Sequence, residues 1–308
     1  MIADAPGMEL VRRRRPGRLE LFLFVLRRRP LFAFGYGLLL LIVVLGLLAP
    51  VLPLDDPETA HPELTLAGPS WQHWLGTDIS GMDIFSRVVF SARIDLLIAV
   101  LGTLLSLAIG APLGLVAGYF ASTRGLWSWL SEAIMRTADV VQAFPVFVLA
   151  IALVAALGQS ARNVVLAIAF VNAPIYLRLL RTQALSLRER RFVEAARVSG
   201  NSELRIVFRH ILPNAMAPAL VQLSVNMGWA VLLTAGLSFV GAGVRVPTPE
   251  WGSMIAVGAQ NMITGQWWPA LFPGIAIALT VLAFALVGDS IELMLDPVRR
   301  RGIVRERA

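Results

Sequence analysis

Long apolar runs, separated by shorter polar segments, dominate the 308-residue chain. A helix that crosses a bilayer needs about 20 apolar residues at a rise of about 1.5 Å per residue. Six runs come near or above this length, at about 31–51, 94–120, 133–157, 163–180, 215–240 and 268–287. The pattern predicts an all-α, polytopic membrane protein with six transmembrane helices.

The polar segments between these runs divide their charges unevenly. The segment 52–92 is rich in Pro and acidic residues, whereas the segments before the first run, between the fourth and fifth, and after the sixth are rich in Arg. Cytoplasmic loops of membrane proteins hold the excess of basic residues. The arrangement therefore predicts that both termini are cytoplasmic (N-in and C-in) and that 52–92 is an extracytoplasmic loop. The arginines of the three basic segments include Arg12, Arg13, Arg14, Arg15, Arg18, Arg27, Arg28, Arg29, Arg188, Arg190, Arg191, Arg197, Arg205, Arg209, Arg299, Arg300, Arg301, Arg305 and Arg307.

The first apolar run could in principle be a signal peptide that is removed. It is longer than the apolar region of a signal peptide, and Ala49-Pro50-Val51 makes a poor cleavage site. We therefore expect an uncleaved helix over 31–51, preceded by a cytoplasmic Arg-rich segment over 1–30.

The composition narrows the function classes. All 27 basic residues are Arg, and a chain without Lys cannot form the Gly-Lys-Ser/Thr of a P-loop ATPase. The chain has no Cys and only three scattered His, so neither a catalytic residue nor a metal site is expected. The net charge of +7 would suit nucleic acid, but the arginines flank apolar runs. We expect a lipid bilayer as the partner, and no nucleic acid.

The basic segment between the fourth and fifth runs carries a distinctive motif. Glu194-Ala195-Ala196 is followed after three residues by Gly200, and after eleven more by Leu212-Pro213. The residues from 192 to 198 favour a helix that Gly200 can end, and Pro213 suits the first turn of the next helix. A second short helix is expected to begin at Ser202. Small side chains at Ala195 and Ala196 would let a partner protein approach the backbone closely.

This motif resembles the EAA loop of binding-protein-dependent ABC importer permeases. The resemblance implies a coupling loop over about 183–213 on which a cytoplasmic ATPase docks. An ordinary basic loop that only anchors the topology is the alternative, but the three parts occur together at the spacing of the family. The residues implied in coupling are Glu194, Ala195, Ala196, Gly200, Leu212 and Pro213.

Other segments are similar to the C-type permeases of dipeptide, oligopeptide and nickel importers, from about residue 31 to 299. Segments 73–78, 81–83, 86–87 and 91–93 before the second run, and 237–241 and 247–252 after the fifth, are similar to the external signatures of that branch. Met82, Ala285 and Glu292 depart from the usual residues. The resemblance implies the fold of a type I ABC importer transmembrane domain, with the ABC transmembrane type-1 domain and its five helices over 93–290. It implies a cytoplasmic tail over 291–308.

The resemblance also implies an assembly. The expected partners are a second homologous permease, two cytoplasmic ATPases that bind ATP and Mg, and an extracytoplasmic solute-binding protein. This chain itself would hold no cofactor, and would lie in a bacterial or archaeal inner membrane. Di- or oligopeptides are the expected cargo, with nickel or another small solute as the alternative within the family. An ion-coupled secondary transporter is the alternative outside it, and this class needs no ATPase-docking loop.

Several further residues carry weaker expectations. Pro249, Glu250, Trp251 and Gly252 would either contact the binding protein or brace the fifth and sixth helices. Asp139 is expected to pair with Arg136 on the same helix. Polar residues inside the apolar runs would bond neighbouring helices or line the pathway, namely Gln142, Asn172, Gln222, Asn226 and Thr234. The external tryptophans suit an aromatic belt at the membrane surface, namely Trp71, Trp74, Trp251, Trp267 and Trp268.

Overall fold

The computed structural model describes residues 18–295, and this part of the chain is almost entirely helical. Its only β-type pairing is an isolated bridge between Thr77 and Asp83. The prediction of an all-α fold is confirmed. Predictions for the arginines at 12–15 and for the tail beyond 295 lie outside the described residues. The helices are α1 (Arg18–Arg28), α2 (Pro30–Leu48), α3 (Ile84–Tyr119), α4 (Leu126–Ala143), α5 (Val146–Leu157), α6 (Ala161–Leu187), α7 (Arg191–Val198), α8 (Glu203–Arg205), α9 (Leu212–Phe239), α10 (Trp251–Ala259) and α11 (Trp268–Leu295).

Five of the six predicted spans are continuous helical segments, long and apolar enough to cross a membrane, and the sixth is broken. The run over 133–157 was expected to be one helix, but it divides into α4 and α5, which are bent by 94° relative to each other. Pro145 supplies the reason, because proline disfavours helical backbone at the residue before it. Phe144 accordingly has φ −85° and ψ 140°, an extended conformation. The bent pair is either one broken span or a re-entrant segment.

The second span starts earlier than its apolar run. α3 begins at Ile84, within the segment predicted as loop, because Asp83 caps its first turn. The Asp83 carboxylate accepts a 2.8 Å hydrogen bond from the Ser86 amide, as an N-cap residue does. Ser86, Arg87 and Ser91 interrupt the apolar pattern, yet all three are buried by neighbouring segments. The polar sequence at the start of this helix therefore reflects internal bonds and not exposure.

A stripe of small residues joins α3 to α6, the most extensive helix–helix contact in the described chain. A Cβ atom on Gly110 would lie 2.3 Å from the Ala173 carbonyl oxygen, and one on Gly114 would lie 2.2 Å from the Leu177 carbonyl oxygen. Close backbone approach of this kind, through small residues every four positions, is a common basis of helix packing in membranes. The stripe on α3 comprises Gly102, Ser106, Gly110, Gly114 and Gly118.

Two apolar cores lie at opposite ends of α3. The larger joins α3, α5, α6, α9, α10 and α11, with Ile98, Ile168 and Trp251 among its buried residues. The smaller surrounds Tyr119 at the other end of α3 and includes residues of α6, α7 and α9. We call the Tyr119 end, with residues 119–125 and 188–211, the basic end. The opposite end, with residues 52–83 and 240–251, is the acidic end.

Candidate functional site

Helix α7 carries the Glu-Ala-Ala motif on an amphipathic turn at the basic end. Val193 and Ala196 are buried in the smaller core, whereas Glu194 and Ala195 are exposed. The expectation that both alanines present a small surface to a partner is therefore wrong for Ala196. Its size instead allows α7 to pack closely on the core, and only the face with Glu194 and Ala195 remains free.

Gly200 ends α7 in the way that its sequence position predicted. The Asn201 amide donates to the Ala196 carbonyl (3.3 Å), and the Gly200 amide donates to the Arg197 carbonyl (3.0 Å). This pair of bonds is the Schellman motif, whose residue after the cap adopts a left-handed conformation. Gly200 has φ +79°, which glycine adopts without steric cost. The spacing from Ala196 to Gly200 thus matches the spacing that this helix-ending motif requires.

The remainder of the loop leads directly into the fifth span. Ser202 precedes the short helix α8 as expected, and residues Ile206–Ile211 form a π-helical segment before α9. Leu212 packs against the smaller core, while Pro213 lies exposed in the first turn of α9. The helical backbone continues from Glu203 to Phe239, so the loop and the fifth span are joined without a break.

The exposed face of the loop is unusually apolar for a segment outside a span. Val198 is 85% exposed, Leu204 is 43% exposed and Phe192 is 38% exposed. They accompany the exposed Glu194 on a loop that is otherwise rich in Arg. Exposed apolar side chains on an otherwise polar segment commonly mark a protein-binding surface. We call this set of exposed residues, Phe192, Glu194, Ala195, Val198 and Leu204, the loop face.

A polar triad ties the loop to the end of α3. Arg197 Nε donates to Glu203 Oε1 (3.0 Å), and Arg197 Nη2 donates to the Tyr119 hydroxyl oxygen (3.0 Å). The Tyr119 hydroxyl in turn donates to Glu203 Oε2. The hydrogen bond to Glu203 and the one to Tyr119 raise the pKa of Arg197 above its ordinary value, so its charge is fixed. Sequence reasoning missed this triad, since Tyr119 lies 78 residues from Arg197.

At the acidic end, two buried carboxylates cap helix α10. Glu250 accepts hydrogen bonds from the amides of Gly252 (2.8 Å) and Ser253 (2.7 Å). Asp95 of α3 accepts from the Trp251 amide (3.1 Å), and both acids are fully buried. The second Asp95 oxygen has no partner among the described residues. The first three amides of α10 are thereby satisfied by one local and one distant side chain.

We expect Glu250→Ala to lower the melting temperature of the purified protein markedly. The substitution leaves two buried amides without acceptors, and each such group costs about 1–3 kcal/mol. Glu250→Gln keeps one acceptor oxygen and should lie between Ala and wild type. Glu63→Ala is the matched control, because Glu63 belongs to the same end of the molecule and its side chain is 68% exposed. Equal melting temperatures for the Glu250→Ala and Glu63→Ala proteins would contradict the capping role.

The burial of this segment bears on its expected contact with a binding protein. Pro249, Glu250, Trp251 and Gly252 are all buried within the chain, where they brace α10 against α3 and α9. Trp251 is 1% exposed and its Nε1 donates to the Val88 carbonyl (3.0 Å), so its placement in an aromatic belt was wrong. In this conformation the exposed part of the segment is residues 245–247.

Arg87 organises the rest of the acidic end. It is 4% exposed, and its guanidinium donates to the carbonyls of Pro57 and Pro247 (3.2 Å for the latter). Asp78 lies 3.6 Å away and supplies a counter-charge. One buried side chain therefore joins the segments before α3 and after α9. The external signatures recognised in the sequence thus supply the buried contacts that hold the acidic end together.

The acidic end also brings together Asp55, His73 and Asp83, whose ligand-type atoms lie within 4.8 Å of one another. This grouping was not predicted from the sequence. His73 Nδ1 lies 3.0 Å from Asp83 Oδ1, and the other Asp83 oxygen caps α3. Both Asp83 oxygens are thus engaged by the protein, and the grouping serves the start of α3.

Other predicted polar residues take different partners from those expected. Asp139 pairs with Arg178 of α6 (2.8 Å) and not with Arg136, which pairs with Glu132 one turn away. Gln222 donates to Asn226 (2.9 Å) on the same helix. The amide of Asn172 is buried without a hydrogen-bond partner among the described residues. Asp289 is exposed. Asp95, which bonds the start of α10, was missed. Its signal in the sequence was that of an ionisable residue inside a predicted span.

Part of the chain matches a known protein family. Residues 110–301 match the family model described as "Binding-protein-dependent transport system inner membrane component". The chain belongs to this family. It is a permease subunit of a binding-protein-dependent ABC importer and a multi-pass component of the inner membrane.

Curated relatives of this permease match it over most of their length. The dipeptide transport system permease protein DppC of Alkalihalophilus pseudofirmus is 41% identical over 88% of this chain and 87% of its own. The glutathione transport system permease protein GsiD of Pectobacterium atrosepticum is 38% identical over 96% of each chain. The di/tripeptide permease DppC of Pseudomonas aeruginosa is 40% identical over 85% of this chain and 86% of its own.

A solved structure shows the same fold. The permease matches a chain of the MetNI methionine ABC transporter in an inward facing conformation, with a TM-score of 0.56 and 16% identity. The match covers 68% of this chain and 96% of that chain. At this identity the comparison shows the fold alone, which is that of a type I ABC importer transmembrane domain.

Proposed function

We propose that this chain forms one half of the translocation pathway of an ATP-driven importer of di- or oligopeptides. A second homologous permease forms the other half, two cytoplasmic ATPases bind ATP and Mg, and an extracytoplasmic binding protein delivers the solute. The peptide cargo is supported by relatives that are named for dipeptides, di/tripeptides and glutathione.

The observation that carries the proposal is the loop face. It combines exposed apolar side chains with a charge at Glu194, on a helix whose end is fixed by the bonds around Gly200. A partner ATPase that covers Phe192, Val198 and Leu204 would remove apolar surface from water, which favours docking. The excess of Arg at this end supports a cytoplasmic position, with both termini inside.

Transport then follows from differential binding. The ATPases bias the permease between inward-facing and outward-facing states only as far as they bind one state more tightly. The loop face receives that bias, and the continuous backbone from Glu203 to Phe239 carries it into the fifth span. Solute selection rests mainly with the binding protein.

Purification of the chain with its genomic neighbours in lipid tests this function. We expect the ATPases to copurify, and ATP hydrolysis to rise when the cognate binding protein is added with peptides. A panel of peptides and nickel complexes decides the cargo, because only the cognate ligand class should stimulate hydrolysis. Loss of the ATPases on purification, together with uptake that follows a proton or sodium gradient, would contradict the proposal and favour a secondary transporter.

A further inference from the structure

We propose that Tyr119, Arg197 and Glu203 form a latch that makes the coupling loop and the inner end of α3 move as one body. The latch positions the loop for coupling and takes no part in ATP chemistry. This inference rests on the proposed function, in which an ATPase docks on the loop face.

The geometry of the triad is that of a closed ring of bonds. Arg197 contacts both oxygens of Glu203, with Nε at 3.0 Å and Nη2 at 3.3 Å, and the same Nη2 reaches the Tyr119 hydroxyl at 3.0 Å. Each of the three groups therefore bonds to the other two. Charge-assisted bonds made by two nitrogens on one edge of a guanidinium fix direction as well as distance. The ring holds α7, α8 and α3 at one relative orientation.

The positions of the three residues show which segments the ring connects. Arg197 lies in the last turn of α7, and Glu203 is the first residue of α8. The ring thus bridges the turn at Gly200 and links α7 to α8. Tyr119 is the last residue of α3 and is 5% exposed, so it is held by the smaller core while its hydroxyl reaches the loop.

Apolar packing alone does not fill this side of the loop. A cavity of about 620 Å³ lies beside the triad and is lined by residues from the end of α3, from α4 and from α8. Val193 and Ala196 anchor the other face of α7 in the smaller core. On the cavity side, the directional bonds of the triad take the place of close packing, and without them the loop would have room to shift relative to α3.

Helix α3 is suited to carry such a movement to the far side of the protein. It runs for 36 residues, and the small-residue stripe holds it directly against the backbone of α6. Its other end contains Arg87 and Asp95, which bond to the segment after α9 and to the start of α10. A displacement of Tyr119 thereby moves the segments that Arg87 and Asp95 bond at the acidic end, where the binding protein of the proposed function would release its solute.

The exposure of the charges separates a coupling role from a stabilising one. The side chains of Arg197 and Glu203 are 54% and 44% exposed, and ion pairs this accessible contribute little to stability. Breaking the latch should therefore leave the protein folded while the loop loses its fixed relation to α3. A purely structural role would predict the opposite pattern, with lower stability and unchanged coupling.

The test uses the complete importer in lipid and measures ATP hydrolysed per solute molecule transported. We expect Glu203→Ala and Tyr119→Phe to raise this ratio several-fold, with near-normal melting temperature and normal retention of the ATPases. Glu132→Ala is the matched control, because it breaks a 3.1 Å ion pair with Arg136 that is even more exposed. Exchange of the charges in the double variant Arg197→Glu with Glu203→Arg should restore most of the coupling.

Two results of this assay would overturn the latch. One is a Glu203→Ala importer that couples as well as the Glu132→Ala control, and the other is a melting temperature that falls while coupling stays normal. Failure of the proposed function has a different signature, since the unmodified chain would then retain no ATPase.

The chain has no Cys, so spin labels at Trp127→Cys and Leu204→Cys offer a structural readout. Their distance distribution should broaden when Glu203→Ala is added, and an unchanged distribution would contradict the latch.

Discussion

We expect the substitution Gly114→Val to prevent the protein from folding. A Cβ atom at this position would lie 2.2 Å from the Leu177 carbonyl oxygen and 2.9 Å from the Leu177 Cα atom. Both are backbone atoms of α6 and cannot move aside as a flexible side chain could. Overpacking a close-packed site costs about 1–3 kcal/mol and occasionally more, and here two long helices would have to separate along the stripe.

The measurement is the yield of monodisperse protein after extraction in mild detergent, at equal expression. Gly114→Val should give almost none, and Gly114→Ala should already be impaired although Ala favours helix by about 1 kcal/mol. Gly37→Val on α2 is the matched control, because a Cβ atom there meets nothing within 4 Å. A well-folded Gly114→Val protein would show that the small-residue stripe is dispensable.

Substitution Gly200→Val is expected to abolish transport while the protein still inserts and folds. The residue has φ +79°, a region in which a β-branched side chain is a genuine outlier and in which strain costs about 1–3 kcal/mol. Relief of that strain would break the two bonds that end α7 and would turn the loop face away from its docking position. Solute uptake, binding-protein-stimulated ATP hydrolysis and membrane insertion are measured together.

Two comparisons separate the loop geometry from general strain. Gly200→Asn should keep most of the uptake, because Asn tolerates the left-handed region far better than Val. Gly265→Val introduces the same kind of strain at φ +92°, also in open space, but outside the coupling loop. We expect that variant to transport normally. Normal uptake by Gly200→Val would show that coupling does not depend on this helix end.

Two roles were expected for the segment around Glu250 and Trp251, namely contact with a binding protein or bracing of the fifth and sixth helices. The first role rested on the place of these residues in an outer loop of the predicted topology. In the folded chain they are buried at the junction of α10 with α3. The side chain that completes the junction is Asp95, 156 residues away from Trp251 in sequence. Only the three-dimensional contact reveals that the motif caps a helix.

At the coupling loop, the predictions that succeeded are those set by local backbone geometry. The end of α7 at Gly200, the start of α8 after Ser202 and the position of Pro213 depend on residues a few places apart. Partners of side chains were predicted less well. Asp139 was paired with the nearby Arg136, whereas it bonds to Arg178 on another helix.

The sequence by itself determined that the chain is helical and membrane-spanning, and it marked the segment that resembles an ATPase-docking loop. Those properties follow from apolar run length, arginine distribution and local helix-ending geometry, which neighbouring residues define. The tertiary structure decided which small residues let α3 approach α6, which acids cap α10 and that Tyr119 closes a ring with Arg197 and Glu203. It also divided the third span at Pro145 into two helices at 94°. These features depend on how distant helices are placed against each other, and a linear pattern of apolar and polar positions does not specify that placement.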